Sequence, residues 1–176
     1  MKKIFSLLVA MGLSGCASLP DQDVDSLKTP SGKGALAVLT TFSDWSGKQP
    51  CYRYSLEMFD KIDESKKVLN FYPDADKKYV LFDDIEKGSY VIKAIRCFPR
   101  TGYVFDGNKT YIESKVLSEL VIKANMLTLS KDAFSGVVYD DGSFSVSFSR
   151  SAQTREFLKQ IISEEDKVGW PFYTHE

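Results

Sequence analysis

The feature that most limits how this chain can fold is a period of two in its apolar residues. Tyr52, Tyr54, Leu56 and Met58 alternate with Arg53, Ser55 and Glu57, and Phe144, Val146 and Phe148 alternate with Ser145, Ser147 and Ser149. Successive side chains of an extended strand point to opposite faces, so such stretches predict half-buried strands rather than helices. Further short apolar runs lie at Ala35 to Ser43, Val68 to Tyr72, Tyr79 to Asp83, Ser89 to Phe98, Leu117 to Ala124, Met126 to Ser130 and Phe134 to Tyr139. Turn-forming stretches separate them, among them Asp44-Trp45-Ser46-Gly47, Lys61 to Lys67, Pro73-Asp74 and Asp140-Asp141-Gly142. The 12 Phe, 9 Tyr and 2 Trp favour a β-rich core. Near the C-terminus the period changes. Phe157, Leu158, Ile161 and Ile162 form a stripe at helical spacing, which predicts a helix over about 151–166 with Ser151 as N-cap and Gly169 as stop. The stripe fits a helix packed on the sheets or one offered to a partner. Trp170, Phe172 and Tyr173 are expected to pin the tail to the same core. Together these elements predict a mainly β, Ig-like or related antiparallel sandwich with a C-terminal α-helix.

The first residues follow a different logic. Lys2 and Lys3 give a positive start, Ile4 to Leu13 is an uncharged apolar run, and Ser14-Gly15-Cys16 follows. Ten helical residues reach about 15 Å, half of a bilayer core, so the run suits a secretion leader better than a membrane span. Leu13-Ser14-Gly15-Cys16 resembles the bacterial lipobox. That resemblance implies removal of residues 1–15, a diacylglycerol bonded to the Cys16 sulfur, and an acyl chain on the new amine. The competing reading is an ordinary secretory leader with an incidental cysteine. Ala17, rather than Asp, follows the cysteine, and by the sorting rule of enteric-type lipoproteins this implies the outer membrane, with the domain facing the periplasm. Ala17 to Gly34 carries Pro20, Pro30, Gly32 and Gly34 without periodicity. It reads as a flexible tether, leaving 35–176 as the folded domain.

Two cysteines remain after the anchor, Cys51 and Cys97. In an oxidising compartment an even pair reads as a disulfide, with two free thiols as the alternative. Strand parity makes Tyr52, Tyr54, Leu56 and Met58 core-facing and leaves the Cys51 sulfur outward; Tyr90, Ile92 and Ala94, core-facing by the resemblance given below, imply the same for Cys97. The bridge is then expected to staple neighbouring strands rather than cross the core.

Phe82, Ile85, Gly88, Tyr90, Ile92 and Ala94 resemble the strand-turn-strand signature of transthyretin-like sandwiches, including carboxypeptidase regulatory-like domains. Glu86 and Lys87 stand where those families carry prolines. The resemblance implies a fold in which the glycine makes the turn and the tyrosine enters the core; it implies no activity.

Little in the chain suggests catalysis. The single histidine, His175, sits in the tail, so neither a Ser-His-Asp set nor a zinc site is expected. Asp83-Asp84, Asp140-Asp141 and Glu164-Glu165 read as turn or surface charges, and Asp74-x-Asp76 lacks the further oxygen ligands of a calcium loop. A formal net charge of −1 gives no reason to expect nucleic acid. No cofactor is expected beyond the lipid on Cys16. The best candidate contact surface is the excursion from Pro99 to Lys115, with Tyr103, Phe105 and Tyr111 as anchors. The same rings would also serve to cover one end of a sandwich. The resulting expectation is a non-enzymatic envelope lipoprotein that docks a protein complex. Binding of a small molecule or glycan is the alternative, and an unrecognised hydrolase a distant third.

Overall fold

The computed structural model describes residues 21–44, 49–102, 105, 107, 109–141, 143–165 and 169–174. Its elements are β1 (Asp21–Gln22), β2 (Gly34–Asp44), β3 (Cys51–Asp60), β4 (Lys66–Phe71), β5 (Tyr79–Ile85), β6 (Gly88–Pro99), β7 (Ile112–Ile122), β8 (Leu127–Leu129), β9 (Asp132–Val138), β10 (Phe144–Arg150), α1 (Thr154–Glu164) and β11 (Phe172–Tyr173). They form a β-sandwich with a C-terminal helix. One sheet has the order β1-β4-β3-β6-β7. The other runs β10-β9-β2-β8-β11, with β5 also paired to β2. The sandwich is not purely antiparallel, because β1–β4, β2–β8, β2–β9 and β8–β11 pair in parallel.

The main core lies between the sheets. Leu36 and Val38 of β2, Tyr54, Leu56 and Met58 of β3, and Phe71, Phe82, Ile92, Ile95 and Phe134 meet there. Phe134 sits 4.8 Å from the Tyr54 ring and 5.0 Å from Phe71, both edge-on, the favoured arrangement of ring quadrupoles. The opposite face of β2 presents Ala35 and Ala37 to a second core, where Leu158, Ile161 and Ile162 of α1 pack with Leu81, Leu127, Leu129 and Trp170. β2 is thus covered on both faces, which explains why its apolar residues run on instead of alternating. Burying each of the three helix side chains contributes roughly 1.5–3 kcal/mol. That suffices to hold a helix of 11 residues that would be marginal alone.

Several local expectations are corrected. The helix starts at Thr154 with Gln153 as cap and no side-chain capping bond. Ser151 lies two residues earlier, where its carbonyl accepts the Thr154 N–H. The helix ends with Glu165 as C-cap, short of Gly169. Phe157 falls off the buried stripe and is half exposed. Tyr52 points outward at 43% exposure, while Cys51 and Cys97 are buried in the main core. The cause is a pair of β-bulges. Tyr52 is the extra residue between Cys51 and Arg53, and Lys93 the extra residue between Ile92 and Ala94. Each inserts one position and reverses the parity beyond it.

Residues 21–33 are not a free tether. Asp21 and Gln22 pair with Leu69 and Asn70 of β4, and Val24 bridges to Leu81 of β5. Val24 and Leu27 pack on the second core, and the Lys28 carbonyl accepts the Trp170 indole N–H at 2.8 Å. This strap closes the β4–β5 side of the sandwich before the chain enters β2.

The expected strand-turn-strand signature carries the chain between sheets. Phe82 and Ile85 on β5 and Tyr90 and Ile92 on β6 are all buried. The Tyr90 hydroxyl donates to the Glu86 carbonyl at 2.8 Å and ties down the turn. Asp84, not Gly88, takes the left-handed backbone (φ 54°). Gly88 is needed for space: a Cβ there would lie 2.9 Å from the Asp60 carboxylate and 3.2 Å from the Tyr90 ring.

Candidate functional site

Strand directions give the sandwich two distinct ends. At one end lie the start of β2, the 61–65 turn between β3 and β4, the turn at Glu86 and Lys87, and Ile122 at the end of β7. Asp21 and Gln22 run parallel to β4, so the chain enters from this end. At the other end lie the end of β2, the start of β3, the end of β6 and the 139–143 turn between β9 and β10. The disulfide and the excursion 100–111 belong to this distal end.

Cys51 and Cys97 are joined, with Cα atoms 5.5 Å apart. They bridge the neighbouring strands β3 and β6, as expected of a staple, but from inside the core. Arg100 N–H donates to the Pro50 carbonyl beside them at 2.8 Å, so the root of the excursion is fixed twice.

The excursion does not offer its aromatic residues as one surface. Tyr103 lies outside the described residues. Phe105 turns inward, is 6% exposed and stacks on Phe144 at 5.8 Å. It covers the end of the sandwich. Phe105 also forms an antiparallel bridge to Lys109; Asp106 and Asn108 of the expected hairpin lie outside the described residues. Tyr111 goes to the outer face of the first sheet, half buried, 5.9 Å from Phe98. There Arg53 lies 4.1 Å over Phe98 and Arg96 lies 4.3 Å over Tyr111. Arg96 also pairs with Glu57 at 2.7 Å and Glu113 at 2.8 Å, and Lys66 meets the same Oε1 of the nearly buried Glu57. Burial works against the Arg96 charge, but its bond to Glu113 and the field of Glu57 outweigh this and raise its pKa. The result is a rigid, polar-aromatic face anchored by buried charge.

On the side away from the strap the sandwich is pinned at one level and open at another. The Ser118 hydroxyl of β7 donates to the buried Asp132 carboxylate of β9, tying the two sheets together. Towards the distal end a cleft of about 230 Å³ opens between them, lined by Ile95, Cys97, Ile112, Ser114, Phe144 and Val146. Among the described residues β7 pairs with β6 alone and β10 with β9 alone, so the cleft is flanked by two strand edges. Drug-sized ligands occupy pockets of roughly 300–1,000 Å³. This cleft is smaller, and suits one or two apolar side chains.

No protein-family model, curated protein or solved structure matches the chain. Among the described residues no three His, Cys, Asp or Glu side chains gather to hold a metal ion. The acidic pairs have structural partners. Asp83 and Asp84 both hold Lys28 of the strap, at 3.3 and 2.9 Å, and the bond from Lys28 keeps the Asp84 carboxyl below its ordinary range. Asp141 accepts the Ser143 N–H in the 139–143 turn, and Glu165 accepts the Tyr79 hydroxyl at 2.6 Å. Asp74 accepts the Asp76 N–H as an ordinary turn bond. Cys16 and His175 lie outside the described residues. Sequence reasoning missed the cleft. Its one signal was the serine-lined alternation of β10, which marks a strand with one wet face.

Proposed function

We propose that the protein is an outer-membrane lipoprotein, held by acyl chains on Cys16, whose distal end docks a protein of the cell envelope without catalysing a reaction. The observation that carries this reading is directional. The chain enters at Asp21 from one end of the sandwich, and the hairpin 100–111, the disulfide and the apolar cleft occupy the other. A domain tied to a membrane by its N-terminus then presents its most featured surface away from that membrane. The partner surface is proposed as Tyr111 with the exposed Lys109 and the cleft edge, in place of a set built on Phe105.

Photo-crosslinking in intact cells tests this. A crosslinker at Lys109 or Tyr111 is expected to capture one defined envelope protein, and the same group at Lys87 is expected not to. Capture at neither distal position, or the same adducts from all three, would remove the support for docking.

A second reading has one observation in its favour: the cleft is apolar. A small apolar molecule bound there would shift the methyl resonances of Ile95, Ile112 and Val146. Titration with envelope lipid extracts that leaves those methyls unmoved excludes it.

A further inference from the structure

The strap shortens the distance between the proposed anchor and the folded domain. Resting on the reading that Cys16 carries the lipid, five peptide steps separate the anchor from Asp21, which is already paired with Leu69. Fully extended, they span at most about 18 Å. β1 runs parallel to β4, so its N-terminal end points along β4 towards Lys66 and the 61–65 turn. From Leu69 to Lys66 the strand covers about 10 Å, and the turn projects further. The leash thus reaches at most about 8 Å beyond the end of β4, the same zone into which the 61–65 turn projects. Whatever the path of those few residues, this end of the domain is kept close to the bilayer.

The turn that overhangs carries an unusual residue. Ile62 is 88% exposed, more than any other large apolar side chain among the described residues. It is held out rigidly. Asp60 accepts the N–H groups of Ile62 at 2.7 Å and of Asp63 at 3.4 Å, and Asp63 accepts that of Ser65 at 2.8 Å. Asp60 N–H donates to the Ser65 carbonyl, and Lys61 N–H to the Ser89 carbonyl. Glu64 takes the left-handed backbone (φ 58°) that closes the loop. The turn backbone is thus fixed with Ile62 pointing into solvent. An apolar side chain fixed in water is unfavourable there and favourable at the boundary of headgroups and acyl chains. Asp60, Asp63 and Glu64 match Lys61, Lys66 and Lys67 in number, and Lys61 and Lys66 are also paired with Glu119 and Glu57, so apolar burial rather than charge drives the contact.

We propose that the 61–65 turn rests on the bilayer with Ile62 at the boundary of headgroups and acyl chains, setting the domain upright with its distal end outward.

The test uses the lipidated mature protein in vesicles of phosphatidylethanolamine and phosphatidylglycerol. A nitroxide is placed at Ile62→Cys, or at Asp140→Cys at the distal end; Cys51 and Cys97 are bridged and buried and do not react. Relaxation by oxygen, which concentrates in lipid, is compared with relaxation by a water-soluble nickel chelate. Oxygen is expected to dominate several-fold at position 62 and the chelate at position 140. If the protein floats with the vesicles but position 62 behaves like position 140, the turn contact is wrong and the anchor stands. If both relaxants are excluded from position 62, the turn meets protein, and the proposal is equally overturned. If mass spectrometry finds no acyl chains and nothing floats, the anchor reading fails and takes this inference with it.

Discussion

Replacing Cys51 and Cys97 together by alanine is expected to lower the unfolding free energy by about 4 kcal/mol on the chain-entropy model. The bridge spans a sequence separation of 46 residues and joins the central strands β3 and β6 of one sheet. Its loss frees the unfolded chain far more than it changes the folded one. Alanine is the useful substitute, because a serine hydroxyl in this apolar cluster would add its own desolvation penalty. Urea unfolding provides the measurement. With a slope of about 2 kcal/mol per molar for a domain of this size, the midpoint should fall by roughly 2 M. The slope itself should rise, since an unbridged chain exposes more surface. A loss below about 1 kcal/mol would mean that the oxidised unfolded state is not the constrained ensemble that model assumes. The distal end should loosen as well. Cys97 lines the cleft, and Cys51 is the register partner of Pro99 at the root of the hairpin. Hydrogen exchange at Arg100 is therefore expected to speed up more than at Lys61, at the other end of β3.

What could be read from the chain divides along physical lines. Repeated patterns were legible, because each residue of a pattern reports the same environment. Tyr54, Leu56 and Met58 line the core, Leu158, Ile161 and Ile162 form the buried helix face, and the two cysteines are bridged. Single-residue events were not. The bulges at Tyr52 and Lys93 leave no compositional mark, yet they move Cys51 and Cys97 from the expected outer face into the core. The strap resembles a tether in sequence because it docks through isolated contacts: Val24, Leu27 and the Lys28 carbonyl, with no period among them. Phe105 and Tyr111 are close in sequence and were grouped for that reason, but a hairpin root sends one ring inward and the other to the outer face. The cleft could not be read at all. Its lining comes from β6, β7 and β10, and what makes it a cleft is the space between two sheets.

The largest effect is expected from Cys16, the proposed lipid anchor. The Cys16→Ser variant, exported behind an ordinary secretory leader, should leave the envelope membrane fraction completely and appear in the soluble periplasm. Each buried methylene contributes roughly 0.8 kcal/mol, so one acyl chain of about fourteen methylenes contributes roughly 11 kcal/mol, and the proposed anchor would carry at least two. Ile62, fully buried in lipid, would contribute no more than about 3 kcal/mol. Even that is offset by the orientational freedom lost on docking one small turn. The two contacts therefore have different roles. In the proposed arrangement the lipid holds the protein at the membrane, and the turn only chooses which end faces it. Removing Ile62 should leave fractionation unchanged and release the orientation, whereas removing the Cys16 sulfur should release the protein whatever stands at position 62. A Cys16→Ser protein that still sedimented with membranes after a high-salt wash would show that something other than acyl chains holds this domain. The upright orientation would then have lost its cause.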